Sequence, residues 1–249
     1  MYKNNKSFIP KTIHYCWFGR NEKPDIVKKC IESWKHNLKG YKIIEWNEEN
    51  FNIEENLFVK QAYEAKKFAF VSDYVRLYAL YNYGGIYLDT DVEVIKEFSH
   101  DMLSEESFWG FEEKDYVATS TIGSKRKNIL IKKLLDRYNN KLFIDHEGNF
   151  DISTNVYLIS NIMKELGFEL NGKYQKIHSI ATIYPQEYFS PYDYINCYLK
   201  SSKNTYTVHH FYKSWLPLDA RIKGKIKKIL AKIIGGERIA YIRKKLVRE

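Results

Sequence analysis

The stretch from Phe68 to Asp91 constrains this chain more than any other. Phe68 to Tyr83 is apolar nearly all round, which predicts a buried helix, because a surface helix shows a polar face. Gly84-Gly85 stops that helix, and Ile86-Tyr87-Leu88 predicts a compact buried strand running into Asp89-Thr90-Asp91. The beginning of the chain has the same alternation. Thr12 to Trp17 is β-branched and aromatic and reads as a strand ending at Gly19. Pro24 to His36 carries Ile26, Val27, Cys30, Ile31 and Trp34 at helical spacing, and Tyr41 to Trp46 reads as a second strand. Strand, helix, strand in that order predicts an α/β sandwich with a mostly parallel sheet.

Further elements follow the same rules. Residues 57–83 read as one helix, Asn128 to Asn139 and Ser153 to Leu166 as two more, and Ile177 to Tyr184 and Thr205 to His210 as strands. Residues 99–120, 140–152 and 185–204 read as variable loops. Arg221 to Arg248 reads as a basic amphipathic helix with a break at Gly235-Gly236, appended to a main domain of residues 1–220.

At 249 residues, with 44% hydrophobic and 29% charged side chains, the chain is an ordinary globular protein. It has no run of 18 apolar residues, which excludes a transmembrane helix, and its first residues lack the apolar core of a signal peptide. Three scattered cysteines exclude a disulfide framework or a zinc site, so a reducing, cytoplasmic location is expected. The net charge of +9 is confined to the tail. Residues 221–249 hold 11 Lys/Arg and two acids, leaving 29 bases and 29 acids of the chain's 40 and 31 in the first 220 residues. A neutral body argues against a nucleic-acid groove, although abundant aromatics could supply stacking platforms for a binding module.

Three constellations carry chemistry. Asp89 and Asp91, two apart at the end of an apolar strand, can aim two carboxylates at one hard cation such as Mg²⁺ or Mn²⁺. Alone, such a triplet is a weak signal that a solvated turn also produces, but its place at a strand end after the Gly84-Gly85 turn argues against that reading here. Asp73 and Arg76 share one face of the apolar helix. They form either a structural ion pair or a grip on ligand hydroxyls, and both readings can hold together. His209-His210, followed by Ser214-Trp215, can offer an imidazole to the cation and an indole or hydroxyl to a ligand.

In their order, these pieces resemble glycosyltransferase family 32, whose members carry a D-x-D motif. The matching residues are Ile9-Pro-Lys-x-Ile-His-x-x-Trp17-x-Gly19, Phe70-x-Ser72-Asp73-x-x-Arg76, Leu80-x-x-x-Gly84-Gly85-x-Tyr87-x-Asp89-x-Asp91, and His209-His210 with Ser214-Trp215. The chain is also distantly similar to the clostridial glucosylating toxins. The resemblance implies a GT-A type nucleotide-sugar-binding fold and retaining, metal-dependent transfer from a UDP- or GDP-sugar to a glycan or lipid-linked glycan. It implies that Trp17 packs on the nucleotide base, and that Phe70, Ser72, Asp73, Arg76 and Tyr87 belong to the donor site. It further implies that Asp89 serves ribose and metal, that Asp91 is the main metal ligand, and that one of His209 and His210 completes the shell. Ser214 and Trp215 are implied near the diphosphate. Many relatives have Thr-Gly-Pro where this chain has Ser153-Thr154-Asn155, so this part of the pocket wall departs from the pattern.

A haloacid-dehalogenase-type phosphohydrolase also places an aspartate pair after an apolar strand. That pattern needs Thr or Val two residues beyond the second aspartate, where this chain has Glu93, and the chain contains no Gly-Asp dipeptide. A composition rich in Lys, Asn, Ile and Tyr resembles that of AT-rich bacterial genomes, and the family resemblance then implies, by analogy, a place in surface polysaccharide assembly. The basic tail is expected to contact the inner face of a membrane through the stripe Ile222, Ile226, Ile229, Leu230 and Ile233.

Overall fold

The computed structural model describes residues 8–153, 155–212 and 218–246. The chain opens with β1 (Thr12–Cys16), α1 (Asp25–Asn37) and β2 (Lys42–Trp46), followed by α2 (Leu57–Glu64), α3 (Phe68–Tyr83), β3 (Gly85–Leu88) and β4 (Val92–Val94). Next come α4 (His100–Ser104), β5 (Ser107–Glu113), β6 (Tyr116–Val117), β7 (Thr121–Ser124), α5 (Ile129–Asp136) and α6 (Asn155–Glu165). The last elements are β8 (Gln175–Ile177), β9 (Ala181–Tyr184), β10 (Tyr192–Asp193), β11 (Tyr198–Leu199), β12 (Thr207–His209), α7 (Leu218–Ile234) and α8 (Gly236–Leu246).

The central sheet runs in the order β2-β1-β3-β7-β5-β9-β8, with β6 paired to β5. Strands β2, β1 and β3 are parallel, as are β5 and β9, while β7 joins the two groups antiparallel to both β3 and β5. The expected α/β sandwich with a mostly parallel sheet is therefore present, divided by the reversed strand β7, with β8 and β6 also antiparallel to their neighbours β9 and β5. Period-two alternation sorts the side chains between two cores. Ile13, Tyr15, Ile86 and Leu88 pack toward α1 and its Val27, Cys30 and Trp34. Cys16, Tyr87, Trp109, Phe111 and Ile122 pack toward α2, α3, α5 and α6 on the opposite face.

Gly84-Gly85 is the pivot between α3 and β3. Gly85 has φ +110, and a side chain there would come within 2.5 Å of the Thr12 carbonyl, so only glycine lets β3 seat beside β1. His14 locks the same junction from beneath. The Trp46 indole donates to His14 Nδ1 at 3.1 Å, which leaves Nε2 to donate to the Gly84 carbonyl at 2.8 Å. That imidazole is neutral by construction, and burial holds its pKa down at about 4.

Several expectations need correction. Residues 57–83 are two helices, because Lys66 adopts φ 57 and turns the chain between α2 and α3. Ile177 to Tyr184 is a hairpin whose turn contains Ser179 at φ 64. Thr205 to His210 contributes the short strand β12, antiparallel to β4. Residues 99–120 are not a loop, since they hold β5, whose Phe108, Trp109 and Phe111 are fully buried. The tail divides at Gly235 into α7 and α8, as the glycine pair indicated. Among the described residues no helix is long and apolar enough to cross a membrane.

Candidate functional site

Strands β1 and β3 end side by side, with His14 opposite Tyr87. The carboxyl ends of neighbouring strands in an α/β sheet form a natural crevice for ligands, and the charged residues gather here. Tyr87 faces α3, so Asp89, two residues on, leaves the strand toward the same helix. There it meets Arg76.

Arg76 is buried and ties four elements together. Its guanidinium pairs with Asp73 Oδ1 at 2.9 Å and with Asp89 Oδ1 at 3.3 Å. It also donates to the Thr119 carbonyl at 2.8 Å and, through Nε, to the Ser72 carbonyl at 3.2 Å. The Tyr87 ring lies 4.7 Å beneath it, and the Tyr87 hydroxyl donates to Asp89 Oδ1 at 3.0 Å. One cation thus faces two carboxylates, and two further N–H donors go to backbone oxygens. Burial nevertheless raises the Asp73 carboxyl to about 6, against the pull of Arg76 in the other direction.

Asp91 lies where the chain turns from β3 into β4. Its Oδ1 is 3.3 Å from His209 Nε2, and its Oδ2 accepts the Tyr212 backbone N–H at 2.7 Å. Against the cost of burial, His209 and that N–H hold the Asp91 carboxyl down at about 2. Asp91 in turn raises His209 to about 9, also against burial. Without a cation, the pair is a carboxylate and an imidazolium at neutral pH.

Ligand atoms of Asp89, Asp91 and His209 all lie within 4.8 Å of one another. Two carboxylates from the turn between β3 and β4 and an imidazole from the end of β12 are a donor set that fits a divalent cation. His209 Nδ1 is buried with no hydrogen-bond partner among the described residues. Its ring packs against Phe211 in a tilted arrangement, with centroids 4.0 Å apart and 32° between the planes, which restrains the imidazole.

The sequence-expected residues divide accordingly. Asp73, Arg76, Tyr87, Asp89, Asp91 and His209 come together, with Ser72 contributing its carbonyl. His210 turns to the other side and pairs with Glu93 at 2.9 Å. Phe70 packs on Phe143, with centroids 5.0 Å apart, and is not part of the charged cluster. Trp17 is half-buried just past β1, its indole donating to the Asn21 carbonyl at 2.7 Å and Lys23 lying 5.6 Å over its ring. Ser214 and Trp215 lie outside the described residues.

Two contributions escaped the sequence reading. The Thr119 carbonyl is invisible in a pattern of side chains. Asn155, at the start of α6, is 6% exposed and donates to Asp73 Oδ1 at 3.3 Å. Its own Oδ1 is buried without a hydrogen-bond partner among the described residues. The only signal in the sequence was the departure at Ser153-Thr154-Asn155.

Residues 24–109 match a family model described as the glycosyltransferase sugar-binding region containing the DXD motif. That segment contains Asp73, Arg76, Tyr87, Asp89 and Asp91. Two solved structures are similar. One is titled PaToxG glycosyltransferase, 18% identical, with a TM-score of 0.48 over 65% of this chain and 70% of the other. The second is described as a glycosyltransferase involved in glycosylation of the major capsid of PBCV-1, 11% identical, with a TM-score of 0.45 over 87% of this chain and 99% of the other. No curated protein matches the chain.

Proposed function

We propose that this protein is a metal-dependent, retaining glycosyltransferase of GT-A type. It moves a sugar from a UDP- or GDP-sugar to a glycan or lipid-linked glycan, in surface polysaccharide assembly. The observation that carries this reading is the Asp89–Asp91–His209 group lying beside a buried Asp73–Arg76 pair, inside the segment that matches a sugar-binding region.

Asp91, Asp89 and His209 would hold Mn²⁺ or Mg²⁺, which when bound would offset the negative charge developing on the departing nucleoside diphosphate. Asp73 accepts, and Arg76 donates, hydrogen bonds to sugar hydroxyls. Asn155 adds a carbonyl acceptor from the facing helix. Trp17 supports the base at the end of β1, and Ser214 and Trp215 contact the diphosphate. Tyr87 keeps Asp89 aimed by holding its Oδ1. In the transfer, the bond between the anomeric carbon and the phosphate oxygen breaks while the acceptor oxygen attacks from the same face. The acceptor's hydroxyl proton passes to the departing phosphate, so retention needs no carboxylate nucleophile. Residues 1–220 form the catalytic domain, and the basic amphipathic tail holds the enzyme against a membrane.

The test is hydrolysis of a nucleotide-sugar panel with Mn²⁺ and no acceptor. One donor should be cleaved with its base and sugar both selected, and chelation should stop it. A protein that binds no nucleoside diphosphate in the presence of Mn²⁺ would not be this enzyme.

A further inference from the structure

Helices α7 and α8 do more than present a basic face. The start of α8 is pressed onto the β10–β11 hairpin so closely that a side chain at Gly236 would come within 2.6 Å of the Asn196 carbonyl. Between the hairpin and the two helices lies a cavity of about 510 Å³, within the ~300–1,000 Å³ range of ligand pockets. Ile195 from the hairpin, Ile226 and Ile234 from α7 and Ile239 from α8 line it, with Lys223 and Lys227.

This lining is polarised. Along α7, Lys223 lies roughly 16 Å and Lys227 roughly 10 Å from Ile234 in the last turn, at ~1.5 Å per residue, with Ile226 between the two lysines. Neither lysine has a carboxylate at ion-pair distance among the described residues, and Lys227 donates only to the Tyr194 carbonyl at 3.3 Å. The lysine end also adjoins the candidate site. Lys228 donates to the His210 carbonyl at 3.2 Å, Tyr194 packs on Phe211 at 4.8 Å, and Phe211 packs on His209. At the other end, Ile233 is 76% exposed, which continues the apolar surface outward.

We propose that this cavity binds a single anionic amphiphile, a lipid with a phosphate or diphosphate head. Its apolar chain lies along Ile226, Ile234 and Ile239, and its head sits on Lys223 and Lys227 at the end nearest His209. Burial of the tail's methylenes favours binding, and the two lysines distinguish a charged head from a neutral one. The inference deepens the acceptor half of the proposed function and rests on it for orientation toward the sugar. Binding itself is measured without any transfer.

The experiment is calorimetry on the full-length protein with dodecyl phosphate below its micelle concentration. Inorganic phosphate serves as the head alone and dodecyl maltoside as the uncharged tail. Dodecyl phosphate should bind one to one and at least tenfold more tightly than either control. Ala231→Trp, which fills the cavity, and the doubly substituted K223Q/K227Q, which keeps its shape, should each weaken that binding tenfold or more. Nucleoside diphosphate binding with Mn²⁺, measured on the same samples, should be unchanged, which also reports that the variants are folded. Equal binding of dodecyl maltoside, binding of inorganic phosphate as tight as dodecyl phosphate, or self-association that Ala231→Trp abolishes would each overturn the proposal. Retained dodecyl phosphate binding with no nucleotide binding would instead overturn the transferase reading.

Discussion

His209 Nε2 lies 3.3 Å from Asp91 Oδ1, so the last strand of the main body reaches back to the turn after β3. Neither residue could assemble the site alone. The antiparallel pairing of β12 with β4 places His209 opposite Val92, and the His210 N–H donates to the Asp91 carbonyl at 3.0 Å. The imidazole therefore arrives with its position set by a backbone ladder, and a preorganised ligand costs little to fix when a cation binds.

Asp91→Asn should lower transfer by ~10²-fold or more, the range seen for lost electrostatic stabilisers. The amide oxygen can still accept the Tyr212 N–H, so the turn should survive. Calorimetric titration with Mn²⁺ should show wild-type binding and none in the variant. Full activity of the variant in chelator-treated buffer would remove the cation from the reading.

The same pair sets a pH window for the metal-free protein. His209 is raised to about 9 from the ordinary 6.5, so its contribution to stability is complete below 6.5 and is lost as pH rises through 9. Asp91 is lowered to about 2 from 3.8, so its contribution is complete above 3.8 and is lost as pH falls through 2. In EDTA, the melting-temperature advantage of wild type over His209→Gln should be largest between about pH 4 and 6.5, and should shrink by pH 9. Mn²⁺ replaces a proton on His209, so Mn²⁺ affinity should rise over the interval from pH 6.5 to 9. A pH-independent Mn²⁺ affinity across it would exclude His209 as a ligand.

Asp73 separates a structural from a functional ion pair. Its carboxyl is raised to about 6, chiefly by burial, so its contribution to stability is complete below 3.8 and lost as pH rises through 6. An ionised Asp73 at neutral pH is thus held at a cost despite Arg76. Asp73→Asn should melt no lower than wild type at pH 7.5 and still lose sugar transfer by ~10²-fold, with diphosphate binding intact. A variant that melts early and transfers normally would make the pair purely structural.

Asn155→Ala removes the unpartnered Oδ1 and the donor to Asp73 together. One hydrogen bond to a sugar hydroxyl contributes about 1 kcal/mol, so kcat/KM for the nucleotide-sugar should fall roughly five- to tenfold. The affinity for the bare nucleoside diphosphate should not move. Equal losses for both ligands would place Asn155 elsewhere in the mechanism.

Legibility in the sequence followed the range of the interactions. The buried helix Phe68–Tyr83, its glycine stop and the strand into Asp89-Thr-Asp91 could be read because each signal is local. The break at Lys66 could not, since a left-handed lysine leaves no glycine or proline to mark it. Strand β5 is hard to read locally, since Gly110 interrupts Phe108-Trp109-Gly110-Phe111, and that glycine accommodates the Phe189 ring, 2.5 Å from where a side chain would begin. The choice between His209 and His210 depended on the register of β12 against β4, and a one-residue slip exchanges them. Asn155 depended on where α6 docks, which no local pattern encodes.

Gly85→Ala tests whether the site rests on the β1–β3 junction. At φ +110 an alanine is strained by roughly 1–2 kcal/mol. Its methyl would also meet the Thr12 carbonyl at 2.5 Å and His14 Nε2 at 3.0 Å, neither of which belongs to a flexible side-chain end. Relief requires β3 to move from β1 or His14 to give up the Gly84 carbonyl, and either shift carries Tyr87 and Asp89 with it. The variant should lose about 2 kcal/mol or more of stability, read as a lower denaturant midpoint. It should also bind Mn²⁺ more weakly, although no proposed ligand has been changed. Gly40→Ala is the control. Gly40 also has a positive φ of +80 but has nothing within 4 Å of the added methyl, so it should show the strain alone and keep full Mn²⁺ affinity. If both variants bind Mn²⁺ as wild type does, the junction supports the fold without positioning Asp89.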